Sequence, residues 1–158
     1  MSTVDQFLSL ISKDSNQDGA DFSSYHLKGI SLNGATFVFA TLADTVFDQS
    51  MLMKINFGNA VMDKTTFRNA KIKEVDFSNA QLKETDFEEA TFINCNFQNA
   101  AVEHSNFTAI KATHCNFRGC NLNFSNLYSA QFFDCDLSFA RLMYANLKQA
   151  KISKCQFN

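Results

Sequence analysis

The sequence predicts an all-β solenoid, a square-sided β-helix in which each group of five residues forms one side of a coil. Three observations lead to this fold. Every fifth residue from Phe22 to Phe157 is apolar, the residue two places before it is usually small, and all charges beyond residue 19 fall on the other three positions. A helical period does not produce this pattern, whereas a short strand that alternates inward and outward before turning a corner does.

The charges indicate how many sides close one coil. Residues stacked on neighbouring rungs lie about 4.8 Å apart, where opposite charges attract and like charges repel. Every pair of charged residues twenty positions apart has opposite signs, as in the column Lys28, Asp48, Arg68 and Glu88. Separations of ten and fifteen mix like and opposite pairs. We therefore predict four sides per coil and about seven coils.

The phenylalanines fit the same coil. The chain has 18 of them and no proline, a residue that would remove a donor from a sheet ladder. Most fall on two opposite sides, in columns such as Phe37, Phe57, Phe77, Phe97 and Phe117. Rings from two facing walls can fill a narrow square interior that four rings per rung would overcrowd.

Several pentads share a small residue, a polar residue that is often Asn or Asp, and a large apolar residue. They include Ala70-Lys71-Ile72, Ala80-Gln81-Leu82, Cys95-Asn96-Phe97, Ser105-Asn106-Phe107, Cys115-Asn116-Phe117, Ser125-Asn126-Leu127, Cys135-Asp136-Leu137 and Ala145-Asn146-Leu147. In this pattern the chain resembles the pentapeptide repeat family, whose consensus is A(D/N)Lxx. The resemblance covers residues 20–158 and implies a right-handed quadrilateral β-helix. The handedness is taken from the family.

The N-terminal residues predict a different element. Val4, Phe7, Leu8 and Ile11 form one apolar face of a helix, with Ser2 or Thr3 as its N-cap. We expect residues 1–19 to be a capping helix and turn that cover one end of the β-helix, which then comprises residues 20–158. An uncovered rung edge would be a template for aggregation.

The C-terminal coils are the candidate interaction site, since they place large apolar side chains outward and leave Phe157 without a cap. Such patches mark interaction surfaces, and aromatic residues with arginine are common anchors. The candidate interface residues are Phe124, Tyr128, Phe133, Phe139, Arg141, Met143, Tyr144 and Phe157. The alternative is that stacked aromatic residues only stabilise the sheet. Outward apolar residues of earlier coils, such as Met51 and Met53, are expected to be dispersed.

Four of the five cysteines, Cys95, Cys115, Cys135 and Cys155, stand twenty residues apart and form an inward column. A thiol stack suggests a redox or metal site, but thiols in a straight line cannot surround a tetrahedral ion. Cysteine is also a compact apolar filler. We therefore expect no metal and no cofactor at this column.

Residues 14–19, DSNQDG, resemble the first half of a calcium loop. Tyr25 stands where the bidentate glutamate of such a loop would be. A turn that links a helix to a solenoid would use the same residue types. Both interpretations of Asp14, Asn16 and Asp18 stay open at this point.

The predicted function is a non-catalytic structural or interaction module that binds a protein partner or forms a homodimer through its C-terminal end. The formal charge of −2 gives no electrostatic footprint for direct nucleic acid binding. His26, His104 and His114 belong to different columns, and straight walls offer no deep pocket, so no catalytic residues are predicted. The alternative is a DNA-mimicking inhibitor or protector of a type II topoisomerase (gyrase). The family resemblance implies it and the acidic stretch 74–89 favours it, although lysines interleave the acids.

The N-terminus lacks the features of a secretion signal, and no apolar run approaches the roughly 20 residues of a membrane span. Five cysteines without such a signal favour reduced thiols. We expect a cytoplasmic protein that does not contact membranes.

Overall fold

The computed structural model describes residues 3–158, which form a helix followed by strands twenty residues apart. The helix, α1, spans Thr3–Lys13. The strands are β1 (Ser31–Asn33), β2 (Met51–Met53), β3 (Lys71–Lys73), β4 (Thr91–Ile93), β5 (Lys111–Thr113), β6 (Gln131–Phe133) and β7 (Lys151–Ser153). They form one parallel sheet in chain order, in which each residue pairs with the residue twenty positions further along. The predicted twenty-residue coil is thereby confirmed.

The other three sides of the coil are columns of single parallel bridges, which begin with Asn16↔Thr36, Asp21↔Thr41 and His26↔Val46. We call the four sides the Asn16 wall, the Asp21 wall, the His26 wall and the strand wall. Each wall comprises four positions (16–19, 21–24, 26–29 or 31–34) and the equivalent positions of every later coil. The predicted quadrilateral all-β solenoid is confirmed. Its rung pairing begins at Asn16, before the predicted start at residue 20.

Every corner of the coil has the same backbone conformation. Counted from the small inward residue, the fifth residue of each pentad lies at a corner. From Gly19 to Lys154, these corner residues have a φ between 53° and 79°. Most of these residues are not glycine, although left-handed backbone costs other residues roughly 1–2 kcal/mol. Hydrogen bonds to the neighbouring coil hold the conformation, as when the N–H of Phe39 donates to the carbonyl of Gly58 at 3.2 Å.

Phenylalanine rings fill the shaft in two stacked columns. Phe57, Phe77 and Phe97 are fully buried, and successive centroids in this column lie 5.5 and 4.7 Å apart. Rings of the two facing columns meet edge to face, as Phe77 and Phe87 do at 6.5 Å. Since both geometries are favourable for aromatic pairs, the two columns pack without overcrowding.

Small inward residues also carry hydrogen bonds. The hydroxyls of Thr65 and Ser105 donate at 2.8 Å to the carbonyls of Leu42 and Leu82 on the preceding coil. Thr45, Thr85 and Ser125 make the equivalent bond. These positions were predicted from their size alone, whereas the structure shows that they also satisfy buried carbonyls.

Helix α1 covers the N-terminal end of the shaft through Phe7. The Phe7 ring is fully buried, edge to face with Phe22 at 5.1 Å. Val4 and Ile11 are half-buried against the core, but Leu8 is 37% exposed. The prediction was wrong for Leu8, because a helix that crosses a narrow opening buries only one stripe. Of the proposed N-caps, Ser2 lies outside the described residues, and Thr3 is the first residue of α1.

The charged columns have the predicted register but not the predicted side-chain contacts. Within residues 3–158 the ion pairs are Arg68–Asp86 and Lys73–Glu74, while His114 Nδ1 lies 2.9 Å from Asp134 Oδ2. The Asp63 carboxylate instead accepts a hydrogen bond from the main-chain N–H of Lys83 at 2.9 Å. Within residues 3–158 the N–H of Lys83 has no main-chain acceptor, whereas an exposed ion pair contributes little, so the carboxylate accepts from the amide.

Candidate interaction surfaces

The last rung of the described residues differs from earlier rungs in the exposure of its inward side chains. Leu147, Ile152 and Phe157 occupy inward positions of three walls, yet they are 39%, 36% and 55% exposed. Leu142, on the fourth wall, is half-buried. The residues one coil earlier are all buried: Leu122, Leu127, Phe132 and Leu137. Within residues 3–158, the last rung therefore exposes apolar side chains of the kind that earlier rungs bury.

The main chain of the last coil is unpaired on the same face. In the coil before it, the N–H groups of Leu122 and Leu127 donate to the carbonyls of Arg141 and Asn146, both at 2.8 Å. Within residues 3–158, no acceptor bonds the equivalent N–H groups of Leu142 and Leu147. Over the described residues, the last coil thus combines exposed apolar side chains with main-chain N–H groups that have no acceptor there.

A column of exposed rings reaches the last coil, on the Asp21 wall. Phe124 stacks on His104 at 4.9 Å and on Tyr144 at 5.2 Å, with interplanar angles of 2° and 19°. Tyr144 is 77% exposed. Arg141 and Met143 are exposed on the same wall and the same coil. The structure therefore brings together four of the predicted interface residues.

The remaining candidates lie on other sides of the coil. Tyr128 is half-buried on the His26 wall, and Phe133 is exposed on the strand wall, with the Lys154 ammonium 4.9 Å from its ring centroid. Phe139 is at the corner between the Asn16 and Asp21 walls, with the Arg118 guanidinium 4.6 Å from its ring centroid. The predicted residues thus encircle the C-terminal coils instead of forming one flat patch.

The charge of the strand wall was missed from the sequence. This wall carries six lysines (Lys54, Lys71, Lys73, Lys111, Lys151 and Lys154) and two carboxylates (Glu74 and Asp134), a net charge of +4. The other three walls together carry −5. A formal charge of −2 hides this separation, although sorting the charged residues by their position in the twenty-residue coil would have revealed it.

Met51 and Met53 also meet on the strand wall. They line a shallow groove with Lys71, Lys73, Thr91 and Ile93, over the buried side chains of Leu52 and Ile72. The expectation that the outward apolar residues of earlier coils are dispersed is wrong here. Both methionines point outward from the three-residue strand β2, because its central residue points inward.

Residues 50–127 match the family model described as "Pentapeptide repeat region". The chain is a pentapeptide repeat protein. Its fold is similar to that of a trypsin-treated form of QnrB1, described as a plasmid-mediated fluoroquinolone resistance protein. The two share 17% sequence identity over 90% of this chain and 79% of that one, with a TM-score of 0.54. At that identity the similarity concerns the fold alone.

A second solved structure with the repeat is Rfr23, a pentapeptide repeat protein from the cyanobacterium Cyanothece 51142. It shares 15% identity over 98% of this chain and 99% of that one, with a TM-score of 0.36. The comparison with curated protein sequences gives no match.

The pentapeptide consensus has a direct structural cause in this chain. Its Asn or Asp precedes the inward residue and accepts from the main-chain N–H two residues further on. Asn116 accepts in this way from Arg118 at 2.9 Å, and Asp136 from Ser138 at 2.8 Å. The side chain thus satisfies an amide at the start of each corner.

The cysteine column performs the same task as the hydroxyl column. The thiols of Cys95 and Cys135 lie 3.5 and 3.6 Å from the carbonyls of Ile72 and Ala112, the geometry that Thr and Ser use on another wall. The hydrogen bond with Cys115 and burial both raise the pKa of Cys135. Within residues 3–158, no three His, Cys, Asp or Glu side chains are grouped to hold a metal ion.

The oxygens of the calcium-like loop are engaged by the chain itself. Asp14 accepts from the N–H of Asn16 at 2.8 Å, and Asn16 accepts from the N–H of Asp18 at 3.0 Å. Asp18 accepts from Thr36 and Val38 on the next coil, at 2.7 and 2.8 Å. This geometry is that of a turn leading into the first rung.

The acidic stretch 74–89 does not form one surface. Glu74 lies on the strand wall, Asp76 on the Asn16 wall and Glu84 on the Asp21 wall, while Asp86, Glu88 and Glu89 lie on the His26 wall. Asp86 forms an ion pair with Arg68, with 2.6 Å between Arg68 Nε and Asp86 Oδ2. A turn of the chain every five residues therefore disperses acids that are close in sequence.

Within residues 3–158, no helix has the length and hydropathy that a membrane span requires.

Proposed function

We propose that this pentapeptide repeat protein is a non-catalytic interaction module that self-associates through its C-terminal coils. The observation that carries the proposal is the concentration of exposed apolar side chains on the last two coils. Phe7 of α1 covers the N-terminal end, whereas Leu147, Ile152 and Phe157 remain exposed at the other.

A second copy of the chain is a suitable cover for this end. Two copies related by a twofold axis would present the same apolar rung to each other, as symmetric dimers do. Burial of exposed apolar surface contributes about 25 cal/mol per Å². The ring column that ends at Tyr144 adjoins the same end, where aromatic side chains are effective anchors.

Sedimentation equilibrium of the full chain tests self-association. We expect a dimer whose dissociation constant rises at least about tenfold in Leu147→Ser/Phe157→Ser, since the variant removes two side chains from the end. Phe124→Ser/Tyr144→Ser should weaken the dimer as well. Phe39→Ser is the matched control, because Phe39 is 68% exposed on an early coil.

A strictly monomeric chain at high micromolar concentration, unchanged by either double variant, would contradict the proposal. So would a dimer that Phe39→Ser weakens as much as Leu147→Ser/Phe157→Ser does.

The second candidate function is a DNA-mimicking inhibitor or protector of a type II topoisomerase. The similarity in fold to QnrB1, described as a fluoroquinolone resistance protein, favours it, as does the charge of −5 on three walls. Against it, the acids of the stretch 74–89 are spread around the coil. A gyrase supercoiling assay with and without a fluoroquinolone tests it. Inhibition or protection at stoichiometric amounts would favour this function over the interaction module.

A further inference from the structure

The strand wall is a cationic surface whose lysines are mostly unpaired. Lys73 lies 3.5 Å from Glu74, but within residues 3–158 no carboxylate forms an ion pair with Lys71, Lys111 or Lys151. All four lysines are exposed. An unpaired positive face on a chain of negative net charge is complementary to an acidic partner.

Over β2–β4 of this wall, a rung with two lysines lies between two rungs with apolar side chains. β2 presents Met51 and Met53, β3 presents Lys71 and Lys73, and β4 presents Ile93 beside a threonine. The groove between the two outward columns is lined by these residues. A ligand that fits must therefore carry an acidic group with apolar groups on both sides.

The spacing of the rungs indicates the conformation of that ligand. Neighbouring rungs are about 4.8 Å apart, and three or four residues of an α-helix rise about 4.5–6 Å. In the first outward column, lysine recurs on every second rung at Lys71, Lys111 and Lys151, about 9.6 Å apart. Seven helical residues rise about 10.5 Å. An extended peptide repeats on one face every 6.6–6.8 Å, roughly, and matches neither spacing.

The apolar residues also favour a protein ligand over a nucleic acid. Single strands are held by aromatic side chains on which bases stack, whereas this groove offers methionine and isoleucine. The exposed Phe133 ring of the same wall lies outside the groove, against the Lys154 ammonium. Methionine is common at surfaces that receive apolar helix faces.

We propose that the strand wall binds an amphipathic helix of a protein partner, with an acidic residue at about every seventh position and apolar residues one turn on either side. The groove that would hold the helix lies on β2–β4, away from the last coil, so the proposal does not depend on self-association.

A fluorescein-labelled synthetic helix tests the proposal by fluorescence anisotropy with the full chain. The probe has three heptads, with glutamate at every seventh position, leucine three and four residues later, and alanine and glutamine elsewhere. We expect saturable binding that weakens with added salt. A probe with glutamine in place of every glutamate should bind at least about tenfold more weakly.

Two variants of equal charge locate the binding site. Lys71→Glu/Lys73→Glu should weaken binding at least about tenfold, whereas Lys64→Glu/Lys83→Glu, the same change on the exposed Asp21 wall, should change it less than about twofold. Met51→Gln/Met53→Gln should also weaken binding without changing the net charge. Circular dichroism would verify that each variant is folded.

Absence of binding would overturn the proposal, as would equal loss in both charge-reversal variants. Tighter binding of a 20-nucleotide oligothymidylate at the same salt concentration would assign the wall to nucleic acid and overturn it as well.

Discussion

The main-chain N–H of Lys83 donates to the carboxylate of Asp63, one coil earlier, at 2.9 Å. Within residues 3–158, the Lys83 ammonium forms no ion pair. The two residues stand in one charged column, so their register agrees with the sequence pattern while their contact differs. The acidic residue acts as an acceptor for the next rung.

This geometry predicts which part of the pair matters for stability. Asp63→Ala should lower the free energy of unfolding by about 1 kcal/mol, because an amide loses its acceptor. Asp63→Asn should cost less, since the amide oxygen can accept the same bond. Lys83→Met should change stability by less than about 0.5 kcal/mol. Urea unfolding followed by circular dichroism checks the order, and a larger cost for Lys83→Met than for Asp63→Ala would contradict it.

The phenylalanine columns predict a large loss of stability when a cavity is made in them. Phe77→Ala should lower the free energy of unfolding by about 3–5 kcal/mol, because the ring stacks on Phe57 and Phe97 and is fully buried. Phe77→Leu should cost much less, as Leu137 already occupies the same column. Phe39→Ala is the exposed control. A similar loss of unfolding free energy for Phe39→Ala and Phe77→Ala would contradict a stabilising role of the buried columns.

The left-handed corners predict where glycine stabilises the chain. Ala109 has a φ of 55°, so Ala109→Gly should relieve strain and raise the free energy of unfolding by up to about 1 kcal/mol. Ala101 lies in a bridge on the Asp21 wall, where glycine only adds freedom to the unfolded chain. Ala101→Gly should therefore destabilise by about 0.5–1 kcal/mol. Equal effects of the two substitutions in thermal unfolding would contradict the assignment of strain to the corners.

Cys120 predicts a pH dependence. Burial raises the pKa of its thiol far above its ordinary value, whereas in the unfolded chain the thiol ionises near pH 8.5, roughly. Above that pH the folded state binds more protons, so the free energy of unfolding falls by about 1.4 kcal/mol per pH unit for this thiol. Cys120→Ala should flatten the loss between pH 9 and 10, roughly, because alanine occupies the same column at Ala80 and Ala100.

Ser50→Ala is the matched control for this pH dependence. It removes the bond from the Ser50 hydroxyl to the Leu27 carbonyl, at 3.1 Å, but no ionisable group. It should lower stability equally at every pH. A Cys120→Ala profile parallel to that of the unsubstituted chain would contradict the role of the thiol.

Much of the fold was predictable because the residue types at individual positions show its period. No charged residue stands at an inward position, which reveals the five-residue period. Opposite charges twenty residues apart, such as Asp48 and Arg68, reveal the length of the coil. The orientation of Leu8 was not predictable, because a helical face does not reveal how wide an opening it covers. The hydrogen bonds of Thr65 and Ser105 were also missed, since a small polar residue at an inward position has the same size pattern as alanine.

The candidate site was predictable in part. Phe124 and Tyr144 stack as their spacing of twenty indicates. The positive charge of the strand wall was missed because composition averages over all four sides. That Met51 and Met53 line one groove with Ile93 was missed because β2 and β4 lie two coils apart in the chain.

The twenty-residue coil restricts how such a chain can change length. Insertion of one pentad would rotate everything beyond it by a quarter of the circumference, so that lysines of the strand wall would join those of a neighbouring side. Insertion of four pentads would restore every side and lengthen the rod by one rung, about 4.8 Å. A change of chain length therefore preserves the pattern of surfaces only when it adds or removes whole coils.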